Sequence, residues 1–123
     1  EGLRYNPTYV ENLAAITAAL VEAGAGGIFH VVGADEIERA EFARRAARAF
    51  GLDDKLIQTV PAGEFKSPTK RPKESCLKTD KVRRAVSPAP VGVDAGLRSM
   101  VAMEAKWAEY ARTLPDPAAK VKP

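Results

Sequence analysis

The residues best suited to chemistry lie together in Lys70-Arg71-Pro72-Lys73-Glu74-Ser75-Cys76-Leu77-Lys78-Thr79-Asp80-Lys81. Pro72 biases the residue before it towards an extended backbone, so the Arg71 guanidinium can project from the chain and form two parallel hydrogen bonds to phosphate oxygens. A solvated loop in which Arg71 pairs with Glu74 accounts for the same residues, and an exposed pair of that kind is worth at most about 1 kcal/mol. Residue chemistry weighs the two readings evenly. The surrounding charge is lopsided: between Lys66 and Arg84 eight basic residues stand against two acidic ones, a local +6 in a chain whose net charge is +3. A basic patch on an otherwise slightly acidic body favours a localised anionic partner, either a phosphate-bearing ligand or a nucleic acid. Aromatic residues that would stack bases are not interleaved with the basic ones, which disfavours nucleic acid.

Other reactive groups are sparse. His30 is the only histidine, hence the only side chain with an unperturbed pKa near neutrality. No nucleophile motif surrounds it, and Gly-x-Ser-x-Gly is absent, so a structural, hydrogen-bonded histidine outweighs a catalytic one. Cys76 follows Arg71 and Lys73, which could activate a thiol, but a lone cysteine is more often a small packing residue. No Cys/His cluster has metal-ligand spacing. Gly24-Ala25-Gly26-Gly27 does not read as a dinucleotide turn, because it follows a helix and opens a strand, the reverse of what that turn requires.

The elements that must position these residues follow from apolar periodicity. Leu3 to Val10, interrupted by Pro7, reads as extended. Leu13, Ile16, Leu20 and Val21 then line one face of a helix, with Asn12 as N-cap and Gly24 as its stop. Ile28 to Val32 reads as a buried strand ended by Gly33. Asp35 and Glu38 resemble a capping box for a second helix, whose inner face is Phe42, Ala43, Ala46, Ala49 and Phe50 and whose outer face carries Arg39, Arg44, Arg45 and Arg48. Gly51 closes it, and Leu56 to Val60 reads as a short strand. Pro61 to Pro72 is a surface loop, Ser75 to Leu77 is extended, and Thr79 to Val86 is helical. A last helix begins near Asp94, with Leu97, Met100, Val101, Trp107, Ala108 and Ala111 as its stripe, and 115–123 is a frayed tail.

With 123 residues, 46% hydrophobic and 28% charged, the chain suits one folded domain. One cysteine and no apolar run near about 20 residues make a reducing, cytoplasmic setting the expectation and exclude a helical membrane span. Alternating strands and helices argue for α/β layering, yet two main strands are too few for an independent parallel sheet. They are expected to extend a sheet whose other strands lie elsewhere, and the start at Glu1 without a methionine reads as a segment of something longer.

Five motifs occur in a characteristic order: Pro7-Thr8-Tyr9-Val10-x-Asn12-Leu13-Ala14, Gly27-Ile28-Phe29-His30-Val31-Val32-Gly33, Glu41-Phe42-Ala43, Arg71-Pro72-x-x-Ser75-x-Leu77-x-Thr79-x-Lys81 and Gly96-Leu97-x-x-Met100. From about residue 5 to about residue 103 the chain resembles the C-terminal part of extended short-chain dehydrogenases/reductases, and within them the dTDP-4-dehydrorhamnose reductase branch. The resemblance implies an α/β fold: the C-terminal portion of a Rossmann-like NAD(P)-binding fold, its last strands and helices, plus a small substrate-binding lobe. Residues 1–114 would form this incomplete region. A missing N-terminal Rossmann half would bind NAD(P) and transfer hydride, leaving this segment with neither cofactor nor catalytic residues.

By the same resemblance Arg71 corresponds to an arginine near a nucleotide diphosphate, with Lys70 and Ser75 as companion contacts to a nucleotide-sugar substrate. The family's Tyr-x-x-x-Lys pair has no counterpart, since Tyr5, Tyr9 and Tyr110 each lack a lysine four residues on. Lys78 stands where relatives have Asp or Asn, which leaves Thr79 to cap the next helix. Asn12 stands where many have Asp. A nucleotide-sugar epimerase or dehydratase, and a non-catalytic regulatory subunit like the β subunit of methionine adenosyltransferase, share the architecture. A second copy of the chain is a further candidate partner.

Overall fold

The computed structural model describes residues 2–61, 64 and 72–114. Within them the protein is mixed α/β and rich in helix, with one small sheet of two strands. Strand β1 (Arg4–Tyr5) pairs antiparallel with β2 (Ile37–Glu38), Arg4 opposite Glu38 and Tyr5 opposite Ile37. On its other edge β1 meets residues 73–75 in parallel. The Arg4 N–H donates to the Lys73 carbonyl at 2.9 Å and the Ser75 N–H to the Arg4 carbonyl at 3.0 Å. β1 is therefore the middle lane between two remote parts of the chain.

Helix α1 (Val10–Glu22) begins two residues before the expected cap. Asn12 lies inside it and uses its amide elsewhere, while the Leu13 N–H closes the first turn on the Tyr9 carbonyl at 3.0 Å. Gly24, at φ +60°, ends the helix as expected, in a conformation that glycine adopts without Cβ strain. Ile16 on the inner face is fully buried, whereas Val21 is 75% exposed.

The run from Ile28 to Val32 is not a strand. An extended run becomes a strand only when another lies alongside, and its neighbours here are single contacts. The Lys81 ammonium donates to the Ile28 carbonyl at 2.7 Å, and Ile28 is 80% exposed. Leu56 to Val60 is likewise not a strand. It follows a 3-10 turn at Asp54–Leu56 whose cap is Asp53, accepting from the Lys55 N–H at 3.0 Å.

Helix α2 (Arg39–Ala49) starts at Glu38 without a side-chain cap. The capping box does not form because Asp35 is used at a distance: its carboxylate accepts from the Val93 N–H at 2.7 Å, at the first turn of α4 (Val93–Thr113). The carboxylate serves a helix start, as its type suggests, but one 58 residues away. The expected inner face of α2 holds: Phe42, Ala46, Ala49 and Phe50 pack on Ile37, Val93 and Leu97. Ala47, outside that face, is also buried. Gly51 closes the helix at φ +68°.

Helix α3 (Asp80–Ala85) matches expectation, with Val82 buried. Thr79 occupies its N-cap position, but its hydroxyl takes the Arg83 Nε at 3.1 Å instead of a backbone N–H. The first turns of α4 are buried. Of the expected stripe, Met100, Val101 and Trp107 are exposed, and Trp107 meets Tyr110 edge to face at 6.0 Å. The expected tail, 115–123, lies outside the described residues.

Candidate functional site

The basic segment is tied at Leu77 to Asn6, a buried polar residue that the sequence does not single out. Its amide nitrogen donates to the carbonyls of Gly33 at 3.1 Å and Asp35 at 3.3 Å, and its amide oxygen accepts from the Leu77 N–H at 2.8 Å. One side chain thus joins the segment after β1, the chain ahead of β2 and the chain ahead of α3. Thr8 adds a brace: its hydroxyl donates to the Asn6 carbonyl and accepts from the Gly33 N–H, both at 3.1 Å. The backbones touch because residue 33 is glycine. A Cβ there would sit 1.8 Å from the Pro7 carbonyl oxygen.

Of the three expected substrate contacts, Lys70 and Arg71 lie outside the described residues. Ser75 is exposed, and its hydroxyl donates to the Arg4 carbonyl at 3.3 Å. The oxygen keeps its lone pairs as acceptors, while the backbone N–H holds the residue against β1. Ser75 is thus fixed in place and accessible.

Folding spends part of the basic run. Lys78 pairs with Glu36 at 2.9 Å, and that hydrogen bond, with the nearby negative charge, pushes the Lys78 ammonium above its usual range. Lys81 also lies 4.0 Å over the Phe29 ring. Arg83 holds Thr79 and the Pro90 carbonyl. Lys73 and Arg84 are exposed and form no ion pair among the described residues. Of Lys78, Lys81 and Arg83 only Lys78 is paired with a carboxylate among the described residues; Lys81 and Arg83 keep their charge, with donors engaged by neutral groups of the fold.

Neither reactive group behaves as its chain neighbours suggest. His30 is exposed and carries no hydrogen bond among the described residues, so the expected bonded structural role is not met. Cys76 is a half-buried free thiol with carboxylates as well as the Lys78 ammonium around it. Its sulfur and the carboxylates of Glu36 and Glu74 lie within 4.8 Å of one another. Folding gathers these three ligand-type groups without any sequence spacing to announce them. Lys78 already neutralises Glu36 within the group.

No cofactor cradle fits the glycine cluster. Gly24 to Gly27 lead from α1 into extended chain, so their N–H groups are not gathered at the start of a helix as a pyrophosphate requires. The arrangement can hold a surface segment in register and offer it to an anion. It contains no assembled acid, base or hydride machinery among the described residues.

The chain is 27% identical over 104 residues to a probable low-salt glycan biosynthesis reductase of Haloferax volcanii, covering 85% of this chain and 34% of that protein. It is 34% identical over 79 residues to a dTDP-4-keto-6-deoxy-D-glucose reductase of Streptomyces niveus, covering 64% of this chain and 27% of that protein. The chain thus spans about a third of the length of the curated relatives it matches. No solved structure matches it. The family model of the RmlD substrate binding domain matches residues 4–105, from β1 into the middle of α4, and the chain belongs to that family.

Proposed function

We propose that this chain is the substrate-binding portion of an NAD(P)-dependent reductase acting on a nucleotide-activated deoxysugar. The observation that carries the reading is the match of residues 4–105 to a substrate-binding domain, joined to two relatives whose names are those of reductases. Residues 1–114 form the binding region, the C-terminal portion of a Rossmann-like fold with its lobe. The cofactor and the groups that move hydride and proton belong to the rest of a longer, cytosolic protein. In that setting Ile28 to Val32 gains the strand partners it lacks here.

The chemistry assigned to this portion is binding and orientation. Arg71 takes the diphosphate through bidentate, charge-assisted hydrogen bonds, Lys70 adds a point charge, and the Ser75 oxygen accepts from a ligand hydroxyl. Such contacts act by fixing the sugar relative to the hydride donor.

Calorimetric titration of a dTDP-sugar into the intact protein and its Arg71→Ala variant tests the reading. Loss of a charged, bidentate partner should weaken binding about 10- to 100-fold. Unchanged affinity would return Arg71 to an ordinary solvated loop.

A further inference from the structure

We infer that Asn6 is a positioning residue for the nucleotide sugar: without touching the ligand, its side chain fixes the segment bearing Ser75 and so sets the affinity. This deepens the proposed function and rests on it. Asn6 is 9% exposed, and its two amide hydrogens and its amide oxygen are all engaged. Its three partners belong to segments with no sequence proximity, 27, 29 and 71 residues away. The bond to Leu77 lies two residues beyond Ser75, and the bridge to Arg4 fixes Ser75 itself.

The hydrogen bonds also dictate the residue type. Donation to two carbonyls and acceptance from one N–H need a neutral amide. Aspartate has nearly the same shape but, when ionised, turns an acceptor towards two carbonyl oxygens. Protonated, it regains one donor. A buried carboxyl facing carbonyls is neutral over a wider pH range than an exposed one, so the variant is a switch that the wild-type side chain is not.

Asn12 supplies the control. It is a second amide staple, donating to the Ala89 carbonyl at 3.2 Å and accepting from the Val91 N–H at 3.1 Å, with no bond to the Ser75 segment. Its loss should lower stability while leaving affinity alone.

The test measures dTDP-sugar affinity from about pH 5 to about pH 8 for the intact protein and its Asn6→Asp, Asn6→Leu and Asn12→Leu variants. Melting temperature is followed in parallel. Asn6→Asp should bind about tenfold more weakly at neutral pH and recover towards wild type as the pH falls. Asn6→Leu should bind weakly at every pH, and Asn12→Leu should bind as wild type despite a lower melting temperature. Wild-type affinity in Asn6→Asp at neutral pH, or an equal loss in Asn12→Leu, would overturn the inference and leave the substrate reading intact. A wild-type protein that binds no nucleotide sugar overturns both, and is recognised before any variant is made.

Discussion

At the scale of single residues, polar side chains here serve partners far along the chain. Asn12 and Asp35 both have the chemistry of helix caps, and the sequence places each beside a helix start. An orphan N–H donates equally well to a carboxylate or amide oxygen from a neighbour or from across the fold, so capping chemistry was legible and its target was not. Asp35 accepts from Val93, and Asn12 binds Ala89 and Val91. Asn6 was not legible at all, since an asparagine before a proline is ordinary turn sequence. In the sequence Gly33 reads only as the end of a strand. Its actual constraint is the Pro7 carbonyl, which backbone cannot easily vacate, at 1.8 Å from any added Cβ. Gly33→Ala should therefore destabilise the chain by about 3 kcal/mol or more in urea unfolding, against about 1 kcal/mol for an ordinary substitution. A loss within about 0.5 kcal/mol would mean that the Pro7 and Gly33 segments do not pack this closely in solution.

At the scale of elements, helices were legible because their signal is contained within them. The period of Phe42, Ala46, Ala49 and Phe50 fixes which face of α2 turns inward whatever packs there. Strands carry no such guarantee, and the β-rich run at Ile28 has no strand partner among the described residues because pairing is a property of two segments. The outer face of α2 was also right in kind. Arg45 bonds Glu41 at 2.9 Å and approaches Asp94 of α4 at 3.4 Å, and Arg48 reaches Asp54 at 3.3 Å. The Arg45 hydrogen bond, with the added charges of Arg45, Arg48 and Arg44, holds the Glu41 carboxyl below its ordinary 4.5, and desolvation only partly opposes this. A depressed folded-state value means that the stabilisation is complete above the unfolded value and disappears as the pH falls through the folded one. Glu41→Gln should accordingly melt below wild type at neutral pH, with the gap closing below about pH 4 and narrowing in about 1 M salt. A gap that persists unchanged to about pH 3 would show that packing, not ionisation, supplies the effect.

At the scale of the whole molecule, the described residues divide into a small interior and a broad apolar exterior. The interior holds Ile16 and Val82, together with the cluster of Ile37, Val93 and Leu97. The exterior includes Val10, Val21 and Ile28, each at least 65% exposed, although the sequence placed Val21 and Ile28 inside. Periodicity reports that a face is apolar and says nothing of what covers it. Under the proposed function, that cover is the remaining two-thirds of the reductase, and the two settings separate in one mutational comparison. Ile16→Ala should cost about 2–5 kcal/mol in the chain alone, because it opens a cavity in a fully enclosed site. Val21→Ala should cost less than about 0.5 kcal/mol there, because the side chain already meets solvent. In the intact protein Val21→Ala should rise to about 1 kcal/mol or more if its face is buried, while Ile16→Ala keeps its cost. Urea unfolding of both variants in both settings decides it. A Val21→Ala cost that stays near zero in the intact protein would mean that this face of α1 remains open there, and that the rest of the reductase packs elsewhere.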